Sequence, residues 1–298
     1  MKSLTKEILS FLQSNGFDCS IQTCNGLELI STYSLATKHN HTILPLSIEA
    51  GSIEEATRHQ ENLKEAIRNI TSHDSEYPLI ITEDRWHLQP EAMQKRILAH
   101  LEIFNPIYAR NCEVRRIDKA LAKEFLEASH SYGHAACKYC YGMFLKRHTG
   151  HIAQQQTTSY TPGTLVAVAT FSNARKWTKG DKIIRSYEWT RYASLPDIRL
   201  SGGMGRMLKT FIKEVQPDDI MSYADLEWSA GDVYTQLGFE LESVKTPVLF
   251  SVDTQTWQRA PIKPSTTEMA PQTESMTPLK YFQNLGSNKY RLKLTDYK

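Results

Sequence analysis

The sequence predicts a mixed α/β protein of the α+β kind, built as two α/β units. Two observations carry this. Apolar residues at helical spacing alternate with short β-like runs separated by turn residues, and 298 residues is enough for about two ordinary domains. Forty per cent hydrophobic and 23% charged residues are ordinary for a globular chain, and a net charge of +2 points to no polyanionic partner. The charge is uneven, however: from Lys138 to Arg191 there are nine Lys/Arg against two acids. That belt suits phosphate binding and would look the same as a solvated face.

The opening MKSLTKEIL is charged and lacks a signal-peptide core, and no apolar run approaches the ~20 residues that span a bilayer. The expectation is a cytoplasmic protein with no membrane part. Five cysteines (Cys19, Cys24, Cys112, Cys137, Cys140) are an odd number and argue against a disulfide framework.

Each element has a local reason. Leu4, Ile8, Leu9 and Leu12 share a helical face that Asn15-Gly16 stops. Strand-like runs follow near Leu27–Ser31 and Thr42–Ile48, and Ser52-Ile-Glu-Glu55 has capping-box spacing ahead of a helix with Leu63, Ile67 and Ile70. Residues 77–83 read as a buried strand, and Pro90 suits the first turn of a helix carrying Met93, Ile97 and Leu101. The second unit starts with a strand at Cys112–Ile117 and a helix capped by Asp118, then strands at Tyr139–Leu145 and Leu165–Ser172 around a polar loop, HTGHIAQQQTTSYTPG. A strand at Ile183–Ala193, a glycine-rich turn, a helix at Arg206–Val215, a strand at Ile220–Ala224, a short helix and a strand from Phe239 complete it. Pro261–Pro278 reads as a linker, and LKYFQNL and KYRLKL flank a hairpin signal. The expected divisions are 1–108, 109–250 and 251–298.

The turn RLSGGMGRMLKTF (199–211) bears most on function. A glycine-rich turn between a strand and a helix lets a pyrophosphate reach backbone N–H groups at the helix N-terminus. Neither the P-loop ending nor G-x-G-x-x-G is present, so by itself the stretch is a cradle or only a helix start. Alternation along the preceding strand places Glu188, Thr190 and Tyr192 on one face, with a salt bridge from Glu188 to Arg185 or Arg191 as the alternative to a free carboxylate.

Strand, Arg-x-x-Gly turn, helix, strand, then Tyr234-Thr-Gln-Leu-Gly-Phe239 resembles the acyl-CoA-binding half of GNAT-fold transferases over roughly residues 111–250. The resemblance implies a GNAT-like mixed sheet splayed between the strand ending near Tyr192 and the one ending near Asp225. It also implies acetyl-CoA or another acyl-CoA held by Arg199, Ser201, Gly202, Gly203, Gly205 and Arg206. Met204 occupies a position where the family carries a small residue. Tyr234 would protonate the departing thiolate, since a phenol is only a slightly weaker acid than a thiol, and Glu188 or Asp225 would relieve the amine of its proton. Core packing is the alternative for Tyr234.

The segments HSYG, YEWTRYASLP and SYADLEWSAGDVYTQLGF are similar to parts of the Mom-type branch of phage DNA-modification proteins. That resemblance implies a nucleobase in DNA as acceptor. It maps reaction-centre roles onto His130 and Asp225, with Ser131 interrupting the match to Tyr132. His, Asp and Tyr could hold iron or manage proton transfer. Residues 79–113 resemble the end of a very-short-patch-repair-like nuclease domain, but residues 1–110 lack Glu-x-Lys, and Glu28 and Glu49 alone look incomplete. A degenerate nuclease-like unit that still contacts DNA is the implication.

Cys137-Lys-Tyr-Cys140, near His134, His148 and His151, offers one ligand pair where structural zinc usually shows two, and strand geometry would point the pair apart. Trp177, Trp189 and Trp228 could stack on bases or pack in strands. The leading expectation is acyl transfer to an amine on DNA, with Arg175, Lys176, Lys179 and Lys182 as the DNA surface. An ordinary N-acetyltransferase and a catalytically inactive DNA-binding module are the alternatives.

Overall fold

The computed structural model describes residues 3–34, 39–71, 77–147, 160–262 and 279–296. Most of the polar loop at 148–163, with His148 and His151, and most of Pro261–Pro278 lie outside the described residues. The chain is mixed α/β and divides into two compact units: Met1–Glu102 with Ala224–Gly231 and Val244–Asn288, and Ile103–Tyr223 with Asp232–Ser243 and Lys289–Lys298. Among the described residues no helix is long and apolar enough to cross a membrane.

In the first unit, α1 (Leu4–Ser14) buries Leu4, Ile8 and Leu12, four residues apart, and Gly16 after it takes a left-handed φ of 82°. Strands β1 (Cys19–Cys24), β2 (Leu27–Ser34) and β3 (His39–Leu46) form an antiparallel meander, and β4 (Leu79–Thr82) adds parallel to β3. Alternation then sorts the sheet. Ile30, Ile43, Leu79 and Ile81 face α1 and the Met93–Ile97 side of α4 (Pro90–His100), while Leu29, Leu44 and Ile80 face Leu63 and Ile67 of α2 (Ile53–Thr71). The α2 start is close to the expected capping box: Glu55 N donates to Ser52 Oγ at 3.2 Å, but the Glu55 carboxylate accepts from Gly51 N at 2.7 Å. A short helix, α3 (Glu83–Leu88), separates β4 from α4.

The second unit holds a sheet ordered β13-β17-β12-β10-β8-β7-β6, with β9 on the free part of β10. Its strands are β6 (Cys112–Arg116), β7 (Tyr139–Leu145), β8 (Leu165–Phe171), β9 (Arg175–Lys179), β10 (Lys182–Ser194), β12 (Asp219–Asp225), β13 (Glu240–Lys245) and β17 (Ser287–Lys293). Helix α5 (Lys119–Ser129), capped by Asp118 Oδ1 accepting from Leu121 N at 2.8 Å, covers Cys140, Val168 and Ala193. On the opposite face Phe211 of α6 (Gly203–Val215) stacks on Phe171 at 3.9 Å and meets Tyr139, Tyr141 and Tyr187 edge-on. Two pairings fall outside the expected elements: β9 turns into β10 on the two-residue loop Gly180-Asp181, and β5 (Asn105–Tyr108) joins β11 (Ile198–Ser201) in a separate parallel pair that has no local signal.

The expected C-terminal hairpin does not form. β16 (Leu279–Gln283) pairs with β14 (Leu249–Asp253), which also pairs with β15 (Arg259–Pro261), whereas β17 lies between β13 and β12. The physical reason lies in β17 itself: Arg291 donates to the fully buried Asp219 at 2.6 Å and pairs with Glu242 at 2.9 Å, contacts that a hairpin with β16 would forgo.

Candidate active site

The parallel pair β10·β12 is joined only at Ser186↔Asp219, Tyr187↔Ile220 and Glu188↔Met221, although β12 runs to Asp225. Beyond that point a side chain does the bridging. Ser222 Oγ donates to Trp189 O at 3.0 Å and lies 2.9 Å from Tyr234 Oη, and Tyr234 Oη donates to Tyr223 O at 3.3 Å. Tyr234, on the short helix α7 (Asp232–Gln236), stacks on Tyr290 with ring centroids 5.1 Å apart and meets Trp189 and Phe239 edge-on. Burial raises its phenol above the usual range, so it stays protonated at neutral pH. Ser222 was not singled out from sequence. A serine on a strand carries no signal until its neighbours are known.

Glu188 and Tyr192 do not share a face. Trp189 pairs with Phe171 and Arg191 with Thr170, so Thr190 is the extra residue of a β-bulge and resets the alternation. Tyr192 consequently meets Trp189 edge-on at 6.0 Å, on the α6 side. The Glu188 carboxylate forms no ion pair among the described residues. Of the two arginines weighed as partners, Arg185 pairs with Asp218 at 3.4 Å, and Arg191 donates to Gly133 O at 3.1 Å and Thr190 O at 2.8 Å while the Glu188 charge, acting through space, works against the burial that lowers its pKa. Thr190 is itself held by Thr170, the two Oγ atoms lying 2.8 Å apart.

The glycine stretch does open a helix. Gly202, with φ 75°, is the N-cap of α6 and supplies no side-chain cap, and the first turn holds no acid. Gly203 is buried, and a Cβ there would stand 2.6 Å from Leu200 Cγ and 2.8 Å from the Tyr192 hydroxyl. Gly205 is looser, with Leu237 Cδ2 at 3.2 Å from such a Cβ. Arg199 is exposed and lies over Phe104, Ser201 is exposed, and Arg206 spends Nη1 on Ala109 O at 2.7 Å.

His130 caps α5, and its Nδ1 accepts from Tyr132 N at 3.1 Å, which assigns the neutral ring proton to Nε2. Asp225 belongs to the other unit, where it lies 3.8 Å from Arg85 and accepts from Glu227 N at 2.9 Å. Around it are charged residues that sequence reading missed. Arg259 donates from Nη2 to Asp84 Oδ1 and to Thr82 Oγ1, both at 2.9 Å, pairs through Nε with Asp84, and reaches Glu227 at 3.1 Å. Arg96 donates to Ile80 O at 2.9 Å and lies 3.6 Å over the Trp228 ring. Glu28 is exposed on β2, Glu49 is exposed beyond β3, and among the described residues no group of three His, Cys, Asp or Glu could hold a metal. Iron therefore has no ligand set there.

Arg175, Lys176, Lys179 and Lys182 are all exposed on the β9–β10 hairpin. Lys179 sits opposite Lys182, and Lys176 opposite Arg185. Like charges directly opposite repel, so Lys179 and Lys182 favour an anion nearby, whereas Arg185 already has one in Asp218. Alternation, however, puts Lys176 on one face of the hairpin and the other three on the other. Of the three tryptophans weighed for stacking, Trp189 is buried on Phe171 and Trp228 lies beneath Arg96; Trp177 is half-buried on β9.

No family model matches the chain, and no curated protein matches it. Among solved structures it is similar to a protein of unknown function from Enterococcus faecalis V583, provisionally described as an N-acyltransferase, at 11% identity and TM-score 0.32. That likeness covers 49% of this chain and 36% of the other, so the chain spans about a third of that protein. It is also similar to yncA of Salmonella typhimurium, provisionally described as an acetyltransferase and solved with its cofactor acetyl-CoA, at 13% identity and TM-score 0.35, over 62% of this chain and 95% of that one. Neither likeness is close enough to carry an argument about this chain.

Proposed function

We propose that the second unit is a GNAT-like acyltransferase that moves an acyl group from acyl-CoA to an amine. The observation that supports it most is the gap between β10 and β12, with the Tyr234 hydroxyl held at the gap by Ser222. The residues present fit the donor: the first-turn amides of α6 are uncapped by any side chain, Ser201 and Arg199 are exposed beside them, and no acid opposes an anion. Bound acyl-CoA would supply a thioester carbonyl activated toward an amine. Glu188, free of ion pairs, accepts the amine's proton. Tyr234 gives its proton to the sulfur that leaves, and Ser222 and Trp189 O fix where that hydroxyl stands. Phe in place of Tyr234 should lower turnover by about 10²–10⁴-fold with little effect on donor affinity.

For the acceptor we favour an amine on a DNA base, supported by the paired like charges of the β9–β10 hairpin. The split of those charges over two faces favours the second reading, a small-molecule or protein amine. Titrating DNA at several salt concentrations separates the two: steep salt dependence lost on charge reversal of Arg175, Lys176, Lys179 and Lys182 supports DNA. For the donor, calorimetry with acetyl-CoA is decisive. Micromolar binding, weakened at least about tenfold by Ser201→Asp, is expected. Heat of binding absent up to millimolar acetyl-CoA would overturn the reading. Ser201 is the better control than Gly203, whose substitution would collide with Leu200 and Tyr192 whatever the ligand.

A further inference from the structure

Strand alternation from Cys137 to Cys140 would point the pair apart. The structure brings them together. The two Sγ atoms are 3.4 Å apart, and both cysteines are free thiols. β7 begins only at Tyr139, so Cys137 lies before the pleat and its side chain returns to the face that carries Cys140. Both pack with Ala122, Leu126, Val168 and Ala193 beneath α5. The backbone is anchored around them: Lys138 N donates to Phe171 O at 2.8 Å, and Ile117 N donates to Cys140 O at 3.1 Å.

We propose that Cys137 and Cys140 form a redox dithiol, which a low-molecular-weight disulfide converts into an intramolecular disulfide. Once one thiol of a contacting pair carries a mixed disulfide, its neighbour attacks that sulfur far faster than an outside thiol can. Among the described residues the pair has no further zinc ligand: a structural zinc needs four, no group of three His, Cys, Asp or Glu stands together, and His134, three residues before Cys137, is paired with Glu127 at 3.5 Å. The order of attack follows from exposure. Cys137 is half-buried and Cys140 buried, so the Cys137 thiolate attacks one sulfur of the oxidant and expels the first thiolate, leaving a mixed disulfide. Cys140 then gives its proton to a released thiolate and attacks Cys137 Sγ, expelling the second. The net change is two electrons: the protein dithiol is oxidised, and the small disulfide is reduced to two thiols.

Burial and the neighbouring Cys137 push the Cys140 thiol up to about 12, which fits the order of attack, with Cys140 protonated until the mixed disulfide stands beside it. The disulfide would tie to β7 the segment that follows α5, which holds Arg191 through the Gly133 carbonyl at 3.1 Å. This inference does not depend on acyl transfer.

The test is exposure of the native protein to oxidised glutathione, quenching with iodoacetamide, and peptide mapping by mass spectrometry. The expected product is a Cys137–Cys140 crosslink, formed at least about tenfold faster than in the guanidinium-unfolded chain. Cys140→Ser should stop at glutathione on Cys137, and Cys137→Ser should slow oxidation of Cys140 at least about tenfold. Both are single-atom changes that preserve packing. Alkylation of both thiols after exposure, an unresolved mixed disulfide in the wild type, or a crosslink to Cys19, Cys24 or Cys112 would each overturn the proposal.

Discussion

Two parallel strand pairs in this molecule behave in opposite ways. In the first unit β4 pairs with β3 along its whole length, from Ile43↔Leu79 to Leu46↔Thr82. In the second, β12 is seven residues long and joins β10 at only three positions. The closed pair is apolar on both faces, with Leu79, Ile80 and Ile81 each buried between helices, so packing and backbone hydrogen bonds demand the same geometry. Around the open pair stand Ser222, Tyr234 and the Trp189 carbonyl, and their hydrogen bonds substitute for a backbone ladder. A pair of parallel strands thus opens where side chains can satisfy the freed polar groups, and that is where a ligand could enter.

The largest expected effect comes from the polar end of the closed pair. Arg259 holds Thr82, the last residue of β4, together with Asp84 and Glu227, each 2% exposed. Arg259→Ala removes the cation that Asp84 and Glu227 share, leaving Glu227 with Arg85 at 3.6 Å, and should destabilise the first unit by about 3–5 kcal/mol, read as earlier urea unfolding of that unit. Next comes Ile81→Ala, which removes a fully buried side chain from the same strand and should cost about 2–5 kcal/mol. If either change leaves the unfolding midpoint unmoved, the closed pair is not held as described.

A pH effect follows. His100 lies edge-on to His41 of β3 at 5.1 Å, and burial, then His41 and Arg96, lower its pKa to about 4. The folded value is below the unfolded one of about 6.5, so the neutral ring's contribution is complete above that pH and is lost as pH falls from there to about 4. The loss should total about 1–3 kcal/mol, and His100→Gln should flatten that part of the stability profile. The smallest stability effect belongs to the open pair. Ser222→Ala should cost only about 1 kcal/mol, yet lower acyl transfer by clearly more than that, because it frees the Tyr234 hydroxyl. Equal losses in both measurements would make Ser222 purely structural.

Local chemistry determined much of this chain. The apolar spacing of Leu4, Ile8 and Leu12, the Asp118 cap and the buried run Leu165–Phe171 sufficed to place their elements, since each depends on neighbours within a turn or on a two-residue repeat. The helix expected from Arg206 begins three residues earlier, at Gly203, because a left-handed N-cap at Gly202 and a crowded first turn admit no larger side chain. Partners distant in sequence were not legible. Ser222 meets Tyr234 only because β12 leaves β10, and Tyr192 changes face only because β8 forces a bulge at Thr190. β17 enters the larger sheet for the sake of a buried aspartate some seventy residues away. Periodicity and capping are local properties that a sequence carries openly. Register, bulges and the partners of buried charges are decided by which strand lies alongside, and only the assembled fold supplies that.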